Sequence, residues 1–224
     1  MTIGCQEEIV TPIRGDIIGF IKLLDEKGNE IADRSDVRVK LDANHYVLTD
    51  SNGKFKYQGV ESGTYHISFE KEGFGTYKRF NVVFVGGNRP AVFYNIHLVK
   101  LPSLEVMTFE VKALSNFQVE VSGTMTPTDN YYFIYFFSKD PLVSNIHYES
   151  SFGYSVCCSP MTAFDNFLSV SSTNFSLGQK IYVSSYVVNK ANQYGPYSYY
   201  DYEIDRYVNP AMKQVIKPVE VILQ

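Results

Sequence analysis

The 224-residue sequence has no tryptophan, only three cysteines and four histidines, and no run of about 18 apolar residues. Each shortage removes a class of function. Without a long apolar run, nothing crosses a membrane as a helix. The histidines, His45, His66, His97 and His147, fall in no metal-ligating spacing such as H-x-x-x-H or H-E-x-x-H. Three cysteines cannot all pair within one chain. Cys157 and Cys158 are sequence neighbours, and a bridge between neighbours is strained, so two thiols are expected, one of them facing a core. Four zinc ligands at a workable spacing are lacking. There is no G-x-S-x-G elbow and no phosphate-cradling glycine loop; Gly86-Gly87 reads as a hairpin turn. Cys157 or Cys158 could form a thiol–imidazole pair with His147, but nothing in the sequence orients that histidine. No metal, no cofactor and no catalytic residue is therefore expected. Paired carboxylates for glycoside cleavage are a matter of spatial distance and leave no linear signature.

Charge is also scarce. Lys and Arg total 20 against 24 Asp and Glu, a net −4. A mildly acidic chain lacks the basic face that nucleic-acid phosphates demand. The charge is unevenly divided. Up to Leu101 the chain holds thirteen basic and thirteen acidic residues; beyond it, seven and eleven, with thirteen of the 18 tyrosines. Two segments of different surface chemistry predict two modules of about 100 residues each. Apolar residues make up 45%, enough for packed cores.

What is abundant is short β-strand pattern. Asp16–Leu23 is apolar and β-branched, an opening strand. Asp25–Glu30 is a turn in which Gly28 is free to take positive φ. Val37, Val39 and Leu41 alternate with Arg38 and Lys40, the period of a half-buried strand. Asp50-Ser51-Asn52-Gly53 makes a second turn; it has a superficial likeness to a calcium loop but lacks the further ligands and closing Glu. Phe55 and Tyr57 follow in alternation, then Glu61-Ser62-Gly63, then Tyr65, Ile67 and Phe69. Phe80–Val85 and Ala91–Val99 complete a series with turns every 8–12 residues, about the spacing of a β-sandwich. No amphipathic helix is predicted.

Thr49-Asp50-Ser51-Asn52-Gly53-Lys54-Phe55, then Gly59-Val60-Glu61-Ser62-Gly63-Thr64-Tyr65-His66-Ile67-Ser68-Phe69 and Gly73-Phe74, resembles the core motif of the carboxypeptidase-regulatory-like domain. The resemblance extends back through Gly19 and Gly28-Asn29-Glu30-Ile31. It implies a transthyretin-like (prealbumin) sandwich over residues 13–101, non-catalytic, of the kind found beside peptidases, at outer-membrane receptors and in bacterial surface proteins.

Pro102 marks the expected boundary. Leu104, Val106, Phe109 and Val111, and then Phe117, Val119 and Val121, alternate in the next segment. Tyr131–Phe137 is seven consecutive aromatic or apolar residues, a strand covered on both faces or one with an exposed aromatic side. Residues 139–165 are loop-rich and read as an insertion. Lys180–Ser198 resembles the F strand and F–G turn of a fibronectin type III domain, with Gly178 before it and Val219–Leu223 as a last strand. The buried tryptophan usual in that family is missing. The expected class is therefore all-β, two tandem β-sandwiches: a tether at 1–12, a carboxypeptidase-regulatory-like sandwich at 13–101, and a fibronectin III/Ig-like sandwich at 102–224.

Two features point to function. Gly4-Cys5-Gln6-Glu7-Glu8 resembles the end of a bacterial lipobox followed by the acidic surface-export signal of Bacteroidetes lipoproteins. That resemblance implies lipid attachment at Cys5, an extracytoplasmic, outer-membrane location, and membrane contact through the lipid alone. Tyr194, Tyr197, Tyr199, Tyr200, Tyr202 and Tyr207, interleaved with Asp201, Glu203 and Asp205, exceed what a core needs. Tyrosines give rigid contact area with a polar tip, suited to sugars or proteins; the bland alternative is a row of tyrosines along an exposed sheet face. The first five of these tyrosines are the expected binding surface for a glycan or protein partner. The overall expectation is a non-enzymatic surface lipoprotein, a binding or assembly module in glycan or nutrient capture. The alternatives are a structural or adhesive spacer, or an accessory region of a peptidase.

Overall fold

A computed structural model describes residues 12–41, 45–128, 131–156, 161–170, 172–189 and 197–224. Cys5, Cys157, Cys158 and Tyr194 lie outside the described residues. The secondary structure of the described residues is all β.

Seven strands build the first sandwich: β1 Arg14–Leu24, β2 Arg38–Lys40, β3 Tyr46–Leu48, β4 Lys54–Glu61, β5 Gly63–Glu70, β6 Tyr77–Phe84 and β7 Ala91–Val99. One sheet runs β4-β1-β7, the other β3-β2-β5-β6. Among the described residues of this sandwich, β1 and β7 are the one parallel pair. The alternating residues meet between the sheets: Ile17, Ile21 and Leu23 of β1, Val39, Phe55, Ile67, Phe69, Ile96 and Leu98 are all essentially inaccessible to water.

The turns at Gly28 and Gly53 form as expected; Gly86-Gly87, expected as a hairpin turn, instead lies in the connection from β6 to β7, which belong to different sheets. Gly28 takes φ +87° and Gly53 φ +77°. Asp50 Oδ1 accepts the backbone N–H groups of Asn52 and Lys54, both at 2.9 Å, so its carboxylate is spent on closing the turn that carries the chain from β3 in one sheet to β4 in the other. Asp25 likewise accepts the backbone N–H groups of Lys27 and Asn29.

The second sandwich pairs β12-β9-β8 with β11-β10-β13-β16. The strands are β8 Val106–Ala113, β9 Gln118–Thr128, β10 Tyr131–Ser138, β11 Ser150–Val156, β12 Met161–Ser169, β13 Lys180–Asn189 and β16 Lys213–Ile222. Val119, Val121, Phe133, Tyr135, Phe137, Leu168, Ile181 and Val183 fill the core between the sheets. A separate two-stranded hairpin, β14 Tyr199–Asp201 and β15 Arg206–Val208, lies between β13 and β16 in the chain.

One sequence expectation changes here. The segment 139–165, expected as a loop-rich insertion, contains the strand β11 and the first half of β12, and the hairpin outside the two sheets is β14–β15 instead. The period of β12 was hidden because its buried series, Phe164, Asn166 and Leu168, includes a polar residue. Asn166 is stabilised there by donating to the Tyr135 hydroxyl at 2.7 Å. Of the two readings of the aromatic run of β10, the structure takes the first: it is covered on both faces. Phe133, Tyr135 and Phe137 face the core, while Phe136 packs on Val143, Tyr148 and Tyr186. Tyr132 and Ile134 pack against Leu24, Val99, Val188 and Ala211, a cluster drawn from both sandwiches.

That cluster is the centre of a closed joint. Glu26 of the first sandwich accepts from the Tyr131 hydroxyl at 2.6 Å and from the Ser103 backbone N–H at 3.0 Å. Burial, and then the Glu26 hydrogen bond, push the Tyr131 hydroxyl pKa up. Gly75 lies so close to the Pro210 backbone that a Cβ there would stand 1.9 Å from the Pro210 carbonyl oxygen.

Candidate binding groove at the joint

The sheet β3-β2-β5-β6 has an outer face, and strand alternation decides what it shows. In β5, Ile67 and Phe69 point inward, so His66, Ser68 and Glu70 point out. In β2, Val39 is inward and Lys40 outward. Strand β6 breaks its own period. Tyr65 pairs with Val82 but Ile67 pairs with Arg79, so His66 stands opposite two residues, Phe80 and Asn81. This is a β-bulge, a device that re-aims a side chain. Asn81 absorbs the extra residue with φ +53°, and its backbone N–H donates to His66 Nδ1 at 3.3 Å. The Phe80 ring is thereby turned outward beside His66, centroids 5.2 Å apart.

The β14–β15 hairpin closes over this edge from the other sandwich. Tyr199 packs edge-on against Tyr77 at 5.6 Å and tilts against Phe80 at 6.2 Å. Tyr202 meets Phe80 edge-to-face at 6.1 Å and stays 63% exposed. Asp201, 5% exposed, forms an ion pair with Lys78 of β6 at 3.5 Å. Between sheet and hairpin runs a groove of about 630 Å³, walled by Lys40, Thr64, His66, Ser68, Glu70 and Phe80 from the first sandwich and Glu203 from the second. Beyond Glu70 the face continues into a second hollow of about 790 Å³ lined by Asp36, Arg38, Leu48, Lys71, Glu72 and Thr76. That hollow is larger but has no ring for a ligand to stack on.

The charges of the groove are mostly committed. Lys40 holds both carboxylate oxygens of Glu70, at 2.7 and 2.9 Å. Burial opposes the charged form of Glu70, but the Lys40 and Ser68 hydrogen bonds outweigh it and keep its pKa below the ordinary value. Burial, reinforced by Asp201, pushes the Tyr199 hydroxyl up to about 12. Among the described residues, no group of three or more His, Cys, Asp or Glu is placed to hold a metal ion.

The tyrosines singled out from the sequence thus divide. Tyr199 and Tyr202 pack against Phe80, the ring that lines the groove. Tyr197 belongs to the joint, its ring 4.9 Å from that of His97. Tyr200 sits on the outer side, edge-on to Tyr202 and Tyr207, its hydroxyl donating to Asp205. The partners that complete the groove, Phe80, His66, Lys40 and Glu70, were missed in the sequence. In the sequence Phe80 shares the alternation of the inward Val82 and Phe84, so only the register shift in β6 shows that it faces out. His147 pairs with Asp140 at 3.1 Å, in a separate hollow lined also by Tyr148, Glu149 and Arg206.

Searches of protein-family models and of curated proteins find no match to this chain. Among solved structures, the chain is similar to a candidate carbohydrate-binding protein from Bacteroides uniformis, at 13% identity and a TM-score of 0.37, covering 94% of this chain and 100% of that one. It is similar to a DUF3823 family protein from Bacteroides ovatus, at 11% identity and a TM-score of 0.38, with 94% and 100% covered. A DUF3823 family protein from Parabacteroides merdae gives 10% identity and a TM-score of 0.36, with 92% and 100% covered. Likeness at this level leaves function to be read from the site itself.

Proposed function

We propose that the chain is a non-catalytic binding module that seats a sugar in the groove between the sandwiches. One observation carries the reading: the β-bulge in β6 turns Phe80 outward, where it meets the exposed Tyr202 of the other sandwich. A sugar ring has an apolar C–H face and a polar rim. The Phe80 and Tyr202 rings offer the first a surface of matching kind. Ser68, Thr64, His66 and Glu203 offer hydrogen bonds to the second. The Glu70 and Asp201 carboxylates are each tied to a lysine, which suits holding a ligand better than proton transfer.

The test is a glycan array with the full chain, followed by titration of the hits. Phe80→Ala and Tyr202→Ala should each weaken binding about tenfold, the scale of one lost stacking contact. Tyr207→Ala, on the outer side of the hairpin, should leave binding unchanged. Binding that survives both groove substitutions would refute the assignment.

Two further parts of the reading rest on sequence. The first sandwich is taken as carboxypeptidase-regulatory-like from its Thr49–Phe74 motif. The chain is taken as a surface lipoprotein anchored through Cys5, and mass spectrometry of native protein from membranes showing no lipid on Cys5 would end that part. A spacer role has one observation in its favour, the sealed joint around Leu24, Val99, Val188 and Ala211; a full array with no groove-dependent binding would select it.

A further inference from the structure

Building on the sugar-binding reading, we infer that the groove selects uncharged sugars over acidic ones, and that Glu203 enforces the choice. Lys40 is neutralised by Glu70 at 2.7 Å, and Lys78 by the buried Asp201 at 3.5 Å. Neither cation is left to receive a ligand carboxylate or sulfate. Glu203 lies at the rim, its backbone N–H donating to Asp201 Oδ1 at 3.0 Å. Its own carboxylate is in no ion pair among the described residues. The groove is lined by Glu70 and Glu203 with Lys40 and Lys78, and the buried Asp201 paired to Lys78 makes a third carboxylate against the two lysines. The adjoining hollow does not offset this, because Asp36 and Glu72 balance Arg38 and Lys71.

The polar groups left open fit hydroxyls. A carboxylate such as Glu203 accepts from neighbouring hydroxyls, and its two oxygens can take a pair at once. His66 accepts the Asn81 amide at Nδ1, so the neutral ring carries its proton on Nε2 and can donate to a sugar oxygen. Ser68 and Thr64 can do either. An acidic sugar stacked on Phe80 would instead bring a second negative charge toward Glu203 in a groove partly shielded from water, where like charges repel more strongly than in bulk solvent.

The decisive experiment uses the full chain and glycans in matched pairs. Neutral glucan, galactan, mannan and xylan oligomers are compared with polygalacturonate, alginate, and polygalacturonate made neutral by full methyl esterification. The acidic ligands should bind at least about tenfold more weakly than the neutral ones, the effect of one like charge at contact distance in a half-wet groove. Glu203→Lys should narrow or invert that ratio without moving the melting temperature, since Glu203 is on an exposed turn. Phe80-dependent binding of the free acid, equal to or tighter than its esterified twin, would overturn the selectivity while leaving the sugar-binding reading intact. Absence of any Phe80-dependent binding, in a variant shown to be folded, would remove both.

Discussion

Substituting Gly75 by alanine tests whether the two sandwiches form one closed body. The backbone at Gly75 has ordinary φ, so alanine there is a purely steric change. Its Cβ would stand 1.9 Å from the Pro210 oxygen, 2.4 Å from the Pro210 carbonyl carbon and 3.1 Å from the Ala211 nitrogen. All three are backbone atoms, so no side-chain rotation relieves the clash. Gly75 is pinned behind by its N–H bond to the Val99 carbonyl at 3.0 Å, and Ala211 by its N–H bond to Asn209 Oδ1 at 3.0 Å. Restoring van der Waals distance requires the two backbones to separate by at least about 1 Å. That movement loosens the Leu24, Val99, Val188 and Ala211 cluster and the Tyr77–Tyr199 contact. Overpacking costs about 1–3 kcal/mol and a weakened aromatic pair about 0.5–1.5, so roughly 3 kcal/mol is expected. For a chain of this size that lowers the melting temperature by about 6–12 °C. Calorimetry measures the shift, and tyrosine emission, with no tryptophan to mask it, reports the loosened joint. A melting temperature within about 1 °C of the parent, with unchanged emission, would refute the closed joint.

Other outcomes follow from the same contacts. Glu26→Ala removes the acceptor of the Tyr131 hydroxyl and the Ser103 amide and should cost about 2–3 kcal/mol in urea unfolding, with Glu26→Gln in between; a loss below about 0.5 kcal/mol would show that the link carries no stability. Gly53→Ala places a side chain at φ +77° with its Cβ 2.2 Å from the Ile21 oxygen, and should destabilise by about 1–3 kcal/mol; a neutral melt would contradict the turn geometry. Stability should also fall in alkali. The Tyr199 hydroxyl is held up to about 12 against an ordinary 10.0, so the folded chain favours the protonated form. Its contribution is complete below pH 10 and disappears as pH climbs through 12. The buried Tyr131 and Tyr186, also shifted upward, act with the same sign. Phenolate absorbance rising in one step with the exposed tyrosines would oppose this, and Tyr199→Phe should reduce the alkaline loss.

The sandwiches were legible because their strands obey a simple period. Val37, Val39 and Leu41, or Tyr65, Ile67 and Phe69, announce which face is buried, and Gly28 and Gly53 mark turns whose φ only glycine adopts easily. Legibility failed where polar residues are buried with partners, as at Asn166 in β12. It failed again where two distant segments share one surface. The tyrosines of 197–202 were recognisable as surplus to a core. That Tyr199 would lie against Tyr77 and Phe80, more than a hundred residues earlier in the chain, has no local signature. Nor does a β-bulge, whose evidence is one residue of register between two strands. The groove is therefore a product of tertiary structure, assembled from a strand irregularity on one sandwich and a hairpin on the other.

The most direct test of the groove is backbone amide chemical-shift mapping on the isotope-labelled full chain, titrated with whichever neutral oligosaccharide the array selects. The perturbed amides should cluster at His66, Ser68, Phe80, Asn81, Tyr202 and Glu203, drawing on both sandwiches in one saturable transition. Perturbations gathered instead around the exposed Phe20–Tyr94 pair on the opposite sheet, with Phe80 and Tyr202 unmoved, would contradict it.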